Sequence, residues 1–371
     1  MCKFTDNPRH YTAKPFIISG TCKAEKAPAQ KILLDAAVKA SVPVLQRHHR
    51  RLYCISTDGD AHRRRALAAL TLAQDLPSSS PIYSKLKPLR LLNRLCGHDD
   101  ITSDFDWKHV LKRYCNALLR LNGCTVNNTL LTPAVLQKHL VDSGILSPDS
   151  ARSLLNPNDK QDVVLMYSLL NAISKLQEAS EDNLLTYRMT RTVLCLLGKL
   201  YFHLLNAYTN TLLSLRDQLM HTSAAMHITC ALYRLDKTSF IPSQLMYDMQ
   251  TMGKATLFNV AKTQVDDPEG SFWIIQQGTD ALEKLFGNIR TMIGSDRNTD
   301  LYQLGGWLTS AVETEKILSD HPEWNPTPRC LNLPSMSLLN EVSQKYNHVK
   351  DRKSTRLNSS HSGESRMPSS A

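Results

Sequence analysis

The chain has 371 residues, of which 42% are hydrophobic, and its 44 Lys and Arg residues outnumber its 34 Asp and Glu residues. This composition excludes wholesale disorder, and the length suffices for two or three domains. The net charge of +10 favours polyanionic partners, above all nucleic acid. We expect no secretory signal and no membrane-spanning segment, because the N-terminal residues are polar and no apolar run is long enough.

The nine cysteines are scattered and form no Cys-x-x-Cys pair, which argues against a structural zinc module and a disulfide framework. Reduced thiols are typical of the cytoplasm and the nucleus, so we expect one of these locations rather than secretion. No motif for a small-molecule cofactor is evident.

The first hundred residues predict an α/β arrangement. The segments "KPFIISG" and "RLYCIST" have strand-like apolar runs, and a segment with helical spacing follows each of them. This alternation predicts a partly parallel sheet. Residues 76–104 are rich in Pro and Ser and predict loops, within which "RLLNRLCG" is compatible with a strand or a helical turn.

Residues 106–265 predict helices almost throughout, because apolar residues recur with a period near 3.6. Thr132 and Ser147, each followed by Pro, predict two helix starts. The turn "DDPEG" then precedes "SFWII", which predicts a short strand, and two further helical patterns follow. The chain as a whole therefore predicts a mixed α/β, mostly helical fold.

Two acids in "CISTDGDAHRRR" follow a predicted strand. An acid at a strand end can project into a crevice where α/β proteins bind ligands, so Asp58 is a candidate metal ligand. The alternative is an Asp-Gly turn in which Asp58 and Asp60 bond to the local backbone, and this alternative is favoured by the residues alone.

The segment "DFDWKHVLKRYCN" predicts an amphipathic helix. One face carries Asp106, His109, Lys112 and Arg113, and the opposite face carries the apolar residues. An ordinary surface helix with an acid at its N-terminus explains the same pattern.

In "GTDALEKLFGNIR", the helical stripe of Asp280, Glu283, Gly287 and Arg290 lies opposite the apolar face that Leu282, Leu285, Phe286, Ile289 and Ile293 form. Acids three residues apart on a helix are close enough to serve one Mg²⁺ ion, which needs only one or two carboxylates. Acids in the first turn of a helix also interact favourably with the helix dipole, so a purely structural role for these two acids stays open.

Basic side chains accompany these acids and are candidates for phosphate contacts; solvated helix faces are the alternative. The candidates are Arg63, Arg64, Lys112, Arg113 and Arg290.

Taken together, "CISTDGDAHRRRAL", "DDITSDFDWKHVLKR", "VDDPEGSFWII" and "GTDALEKLFGNIRTMIG" resemble the transposon-derived multi-copy proteins of mushroom-forming fungi. Those proteins in turn resemble DNA transposases of the P-element and THAP type. The resemblance covers residues 15 to about 335, and the order and spacing of the motifs carry it. It implies an RNase H-like core, interrupted by a large all-α insertion, that gathers three acids around Mg²⁺ or Mn²⁺.

The resemblance implies a role for each candidate residue. Asp58 matches the second acid of the family and Glu283 the third, so both are implied as catalytic metal ligands. Asp280 precedes the catalytic Glu and is implied as an accessory ligand. Asp106 and His109 match an acid-x-x-His motif and are implied as supporting residues.

The family's first acid is expected on a strand upstream of "FIISG", and Asp6 does not match its motif. We therefore expect a fragment of a DDE-type DNA transposase with little or no activity by itself. The partner implied is DNA; the sequence is compatible with a homo-oligomer but does not give the oligomeric state. The alternatives are a non-catalytic, transposon-derived protein that binds nucleic acid or another protein, and a helical scaffold without a DNA role.

These expectations divide the chain as follows: a partial RNase H-like core at 1–100, a helical insertion at 101–265, a returning core segment at 266–335, a linker or tail at 336–350, and a disordered, adapter-derived tail at 351–371.

Overall fold

The computed structural model describes residues 12–19, 25–156, 162–292, 300–321 and 324. The predicted linker at 336–350 and the predicted tail at 351–371 lie outside the described residues. The fold is mostly helical with small sheets, as predicted. The chain divides into two compact units: unit one comprises Met1–Asp106 and Ala255–Ala371, and unit two comprises Trp107–Lys254.

Unit one carries four strands and five α-helices among its described residues, together with the C-terminal half of a sixth α-helix. In chain order they are α1 (Ala27–Arg47), β1 (Cys54–Thr57), α2 (Ala61–Thr71), β2 (Gln74–Asp75), α3 (Tyr83–Leu86), β3 (Leu95–Cys96), β4 (Thr102–Phe105), the end of α10 (Ser243–Asp266), α11 (Asp280–Met292) and α12 (Leu301–Asp320). Strands β1 and β4 pair in parallel, and β2 pairs with β3 in antiparallel fashion.

The sequence prediction succeeds for β1 and α2 and misses β4. Strand β4 lies where a loop is predicted, because its residues Thr102, Ser103 and Asp104 are polar and yet buried. Hydrogen bonds compensate part of that burial: Ser56 Oγ donates to Asp104 Oδ2 at 2.8 Å, and the hydroxyls of Thr71 and Ser103 lie 3.0 Å apart.

Two predicted strands are wrong. Residues 15–19 of "KPFIISG" form no strand in the described part of the chain, and Phe16, Ile17 and Ile18 are exposed there. In "SFWII", Ile274 begins a short 3₁₀-helix that ends at Gln276. Apolar runs this short do not distinguish a strand from other buried structure, because a strand also needs a partner.

Over residues 107–156 and 162–254, unit two is built from helices and one β-hairpin. Its elements are α4 (Trp107–Leu118), β5 (Cys124–Val126), β6 (Thr129–Leu131), α5 (Pro133–Asp142), α6 (Pro148–Leu155), α7 (Val163–Ser174), α8 (Leu185–Thr209), α9 (Leu215–Asp236) and the start of α10. Thr132 and Ser147 accept hydrogen bonds from the backbone N–H groups of Val135 and Ser150, so both predicted helix starts are confirmed. In the part of the chain that the structure describes, no helix is long and apolar enough to cross a membrane.

The hairpin corrects the expectation of an all-helical insertion. Its turn residues Asn127 and Asn128 have φ values of 47° and 60°, which Asn tolerates better than most residues. The carboxylate of Asp236 accepts hydrogen bonds from both of their N–H groups, at 2.6 Å and 2.9 Å. The Asn-Asn pair is the turn signal in the sequence.

Within the predicted helical stretch 106–265, the segment "LLTYRMTRTVLCLLGKLYFHLLNAYTNTLLSL" has helical spacing throughout but is divided between two helices. Helix α8 ends at Thr209, and Ser214 caps α9 by accepting a hydrogen bond from Asp217 N at 3.1 Å. The two helices pack together, and the Nδ1 atoms of His203 and His221 lie 2.8 Å apart across them.

Helices α11 and α12 share a small apolar core. Its buried members are Ala13, Ala281, Leu285, Ile289, Leu308 and Ala311. The predicted apolar face of α11 is correct at Leu285 and Ile289, whereas Leu282 and Phe286 are each 41% exposed. Ile293, the remaining member of the predicted face, lies outside the described residues. Asp280 is buried instead of solvent-facing.

Candidate metal centre

Asp106 lies directly after β4, at the carboxyl end of a parallel strand pair. Its backbone N–H donates to Thr57 O at 3.1 Å, which continues the pairing of β4 with β1 by one residue. The Asp106 residue is only 2% exposed. Carboxyl ends of parallel strands are where open α/β sheets place ligands, so this acid occupies a favourable position for chemistry.

The turn before α11 holds the Asp106 carboxylate. Thr279 donates to Asp106 Oδ2 twice, from its backbone N–H at 2.8 Å and from its hydroxyl at 3.0 Å. Gly278 has a φ of +106°, and a Cβ atom there would lie 2.6 Å from the same Oδ2. Only glycine both adopts this backbone conformation readily and leaves space for the carboxylate.

Glu283 approaches the same place from the first turn of α11. Its N–H donates to Thr279 O at 2.9 Å, and the Thr279 hydroxyl lies 3.4 Å from Glu283 Oε1. One helical turn therefore places Glu283 beside Asp106, although the two acids are far apart in the sequence.

Asp106, His109 and Glu283 form the one group of three or more potential metal ligands within the described residues. Each offers one ligand atom, and these atoms all lie within 4.8 Å of one another. His109 follows Asp106 by three residues, on the first turn of α4. Ligand atoms about 2.1 Å from one octahedral ion are about 3–4 Å apart, so small side-chain movements bring this group to coordination distance.

The donor set fits a divalent cation. Two carboxylates supply the oxygen ligands that Mg²⁺ and Mn²⁺ prefer, and an imidazole nitrogen shifts the preference towards Mn²⁺ and Zn²⁺. Half-burial of His109 and Glu283 leaves the group accessible from solvent.

Asp104 is a buried acid beside this group that the sequence interpretation missed. Its side chain is fully buried, and burial raises its pKa to about 7, to which the neighbouring Asp106 carboxylate contributes. The hydrogen bond from Ser56 opposes that rise. The segment "TSDFD" contains this signal as two acids two residues apart, which point to the same side of an extended chain.

Asp58 lies in an Asp-Gly turn, as the alternative interpretation predicts. Its Oδ1 is 3.4 Å from Asp60 N, and Asp60 in turn caps α2 by accepting from His62 N and Arg63 N. Asp58 is exposed and is not a member of the ligand group. Its role as a catalytic ligand stays a prediction, and the structure places Asp106 in the group instead.

Asp280 is the first residue of α11 and is 4% exposed. It is not a member of the ligand group, so its role as an accessory ligand also stays a prediction.

The predicted phosphate-binding residues differ in their surroundings. Arg64 is buried, donates to Gly59 O at 2.7 Å and lies over the ring of Phe105. Arg113 forms an ion pair with the buried Asp248. The remaining candidates are Arg63, which donates to Gln30 Oε1 at 3.0 Å, Lys112, which is buried, and Arg290, which is exposed on α11.

No family model matches the chain, and no curated protein matches it. Among solved structures, the chain is similar to the Drosophila P element transposase strand transfer complex, with 13% identity and a TM-score of 0.49. The match covers 76% of this chain and 64% of that chain, so this chain spans less than two thirds of its length. This degree of similarity supports no assignment, and the ligand group is the basis of the function proposed below.

Proposed function

We propose that this chain binds one divalent metal ion through Asp106, His109 and Glu283, and that the centre serves phosphoryl transfer on DNA. The observation that carries the proposal is the convergence of these three side chains within 4.8 Å. Two features support it: Asp106 lies at the end of a parallel strand, and residues of the turn before α11 hold its carboxylate. The resemblance to DNA transposases in the sequence motifs supplies the reaction class.

The chemistry follows from the ligand set. A bound Mg²⁺ or Mn²⁺ supplies positive charge that polarises a phosphate oxygen and lowers the pKa of water. The chain's own contribution is to orient two carboxylates and an imidazole, to hold Asp106 through Thr279, and to retain access from solvent. Asp106 and Glu283 also repel a phosphodiester in the absence of an ion, so DNA approach to this point depends on metal.

One group of three ligands accounts for one ion. Two-metal phosphoryl transfer requires ions about 3.5–4 Å apart, and additional carboxylates to hold the second. The described residues contain no second group of three. We therefore propose that this chain alone cleaves and joins DNA little or not at all, as the sequence analysis expects.

Isothermal titration of the full chain with Mn²⁺ tests the assignment. We expect a stoichiometry of one, and a loss of about tenfold or more in affinity for Asp106→Asn and for Glu283→Gln, since each removes a charged ligand. Asp58→Asn separates the two site assignments, because Asp58 lies outside the ligand group. Glu313→Gln, on the exposed face of α12, is the matched control for Glu283→Gln.

The Mn²⁺ affinities of the Asp58→Asn and Asp106→Asn variants distinguish the two assignments of the metal ligand. Unchanged affinity for Asp58→Asn with reduced affinity for Asp106→Asn supports the site proposed above. The reverse result restores Asp58 as the ligand and contradicts the proposal. No Mn²⁺ binding by the unaltered chain contradicts any metal-dependent function, and it favours the non-catalytic nucleic-acid-binding alternative that the net charge of +10 also allows.

A further inference from the structure

We propose that Thr279 is a positioning residue of the metal centre, and that its single hydroxyl sets the relative orientation of the Asp106 and Glu283 carboxylates. The proposal rests on the metal-binding function proposed above. Thr279 supplies no ligand atom itself. It acts through Asp106 and Glu283, which do supply ligand atoms.

Two donors on one oxygen fix the Asp106 carboxylate. A single hydrogen bond leaves a carboxylate able to rotate about its Cβ–Cγ bond. The Thr279 N–H and hydroxyl reach Asp106 Oδ2 at 2.8 Å and 3.0 Å from the same residue, and together they define both the position of that oxygen and the plane of the group. Hydrogen bonds to a carboxylate are charge-assisted and stronger than neutral ones, so this arrangement resists reorientation.

The same hydroxyl links Asp106 to Glu283. Its oxygen is 3.0 Å from Asp106 Oδ2 and 3.4 Å from Glu283 Oε1, but a hydroxyl carries only one hydrogen to donate. The hydroxyl therefore bonds to one carboxylate at a time, and its shorter contact is with Asp106. Because its oxygen lies beside both acids, its removal affects both ligands.

The turn that carries Thr279 is itself fixed. Gln277 Oε1 accepts a hydrogen bond from the buried Thr256 hydroxyl of α10 at 2.8 Å. Gly278 follows with its positive φ, and the space that its missing Cβ leaves is occupied by Asp106 Oδ2. The backbone path thus leaves Thr279 N pointing at the carboxylate, and the hydroxyl adds the second donor.

Partners that hold a metal ligand in place change metal affinity by about 10- to 100-fold when they are removed. Thr279→Val preserves the shape and the backbone N–H and removes the hydroxyl. We expect it to weaken Mn²⁺ binding by about tenfold. Thr279→Ser restores the hydroxyl without the methyl group, and we expect it to bind Mn²⁺ like the unaltered chain.

Thr263→Val is the matched control. It makes the same substitution at a buried threonine of α10, whose hydroxyl donates to Asn259 O within the same helix at 2.9 Å rather than to the turn that carries Thr279. Gly278→Ala is a second test of the same turn, because the added Cβ would lie 2.6 Å from Asp106 Oδ2. We expect Gly278→Ala to weaken Mn²⁺ binding and Thr263→Val to leave it within about twofold.

The experiment measures Mn²⁺ affinity by isothermal titration and the metal-free Tm for each full-length variant. Weaker binding in Thr279→Val with a Tm like that of Thr263→Val, together with recovery in Thr279→Ser, supports the positioning role. The proposal is overturned if Thr279→Val binds Mn²⁺ like the unaltered chain, or if Thr279→Ser binds as weakly as Thr279→Val. If the unaltered chain binds no Mn²⁺, the proposed function fails first and this inference fails with it; if it binds and Thr279→Val is unaffected, only this inference fails.

Discussion

At the scale of single residues, Asp58 and Asp106 are both candidate metal ligands, and they differ in their surroundings rather than in residue type. Asp58 and Asp106 each follow a strand of the parallel pair. Asp58 precedes a glycine with a φ of 97° and bonds to its local turn, whereas Asp106 receives two hydrogen bonds from a distant turn. The second arrangement orients a carboxylate for a ligand, because the partners are fixed by tertiary structure.

His109 is expected to set the metal preference of the centre. Replacing it with Asn keeps a short polar side chain and removes the imidazole nitrogen. We expect His109→Asn to lower the affinity for Mn²⁺ and Zn²⁺ by about tenfold, and to lower the affinity for Mg²⁺ less, because Mg²⁺ favours oxygen ligands. Isothermal titration with each ion measures this. An equal loss for all three ions would contradict a ligand role for the imidazole.

At the scale of elements, periodicity and capping residues locate helices well and short strands poorly. Helix α12 begins at a capping box formed by Asp300 and Gln303, and α7 begins after Asp162, whose carboxylate accepts from two backbone N–H groups. These signals are local in the sequence. The pairing of β1 with β4 joins residues 48 positions apart, and nothing local predicts it.

Glu315 on α12 is expected to make the stability of the packing between α11 and α12 dependent on pH. Burial raises its pKa to about 7, against the attraction of Lys284 and Lys14. The folded state therefore binds this proton more tightly than the unfolded state, and the stabilisation present at acidic pH is lost as the pH rises from about 4.5 to about 7. We expect Glu315→Gln to stabilise the protein at pH 8.

The expected gain at pH 8 is about 1 kcal/mol after allowance for solvent screening, or about 2–4 °C in Tm. The difference between Glu315→Gln and the unaltered chain should shrink as the pH is lowered to 5. Thermal unfolding at the two pH values measures both quantities. Glu313→Gln is the control on the exposed side of the same helix, and an equal response of the two variants would contradict the effect of burial.

At the scale of the whole molecule, the net charge of +10 is a property of the sequence, but the structure determines which cations face solvent. Arg64 and Arg113 are held within their own units by Gly59, Phe105 and Asp248. Arg290 is exposed on the helix that carries Glu283. A basic composition alone therefore overstates the number of cationic side chains that are available to contact a polyanion.

We expect DNA binding by this chain to weaken with salt, because phosphate contacts release counterions. Arg290→Ala should weaken binding to every duplex sequence alike and reduce the slope of log affinity against log salt by about 1. Arg216→Ala is the matched control, since it removes the same charge from an exposed position on α9 of unit two. Filter binding or fluorescence anisotropy across a salt series measures the slopes. Binding that is absent or insensitive to salt would favour the scaffold alternative.

The sequence by itself determines most of the helices, the turn at Asp58 and the identity of the acids, because periodicity, caps and Asp-Gly turns act over a few residues. It does not determine which acid joins Glu283. That choice depends on β4, a strand of buried polar residues whose pattern resembles a loop until Ser56 and Thr71 supply its hydrogen bonds. It depends also on the Gly278–Thr279 turn, which meets Asp106 across 173 residues of chain. The pairing of distant strands and the space beside Gly278 are properties of the folded chain, so only the tertiary structure places Asp106 in the candidate metal centre.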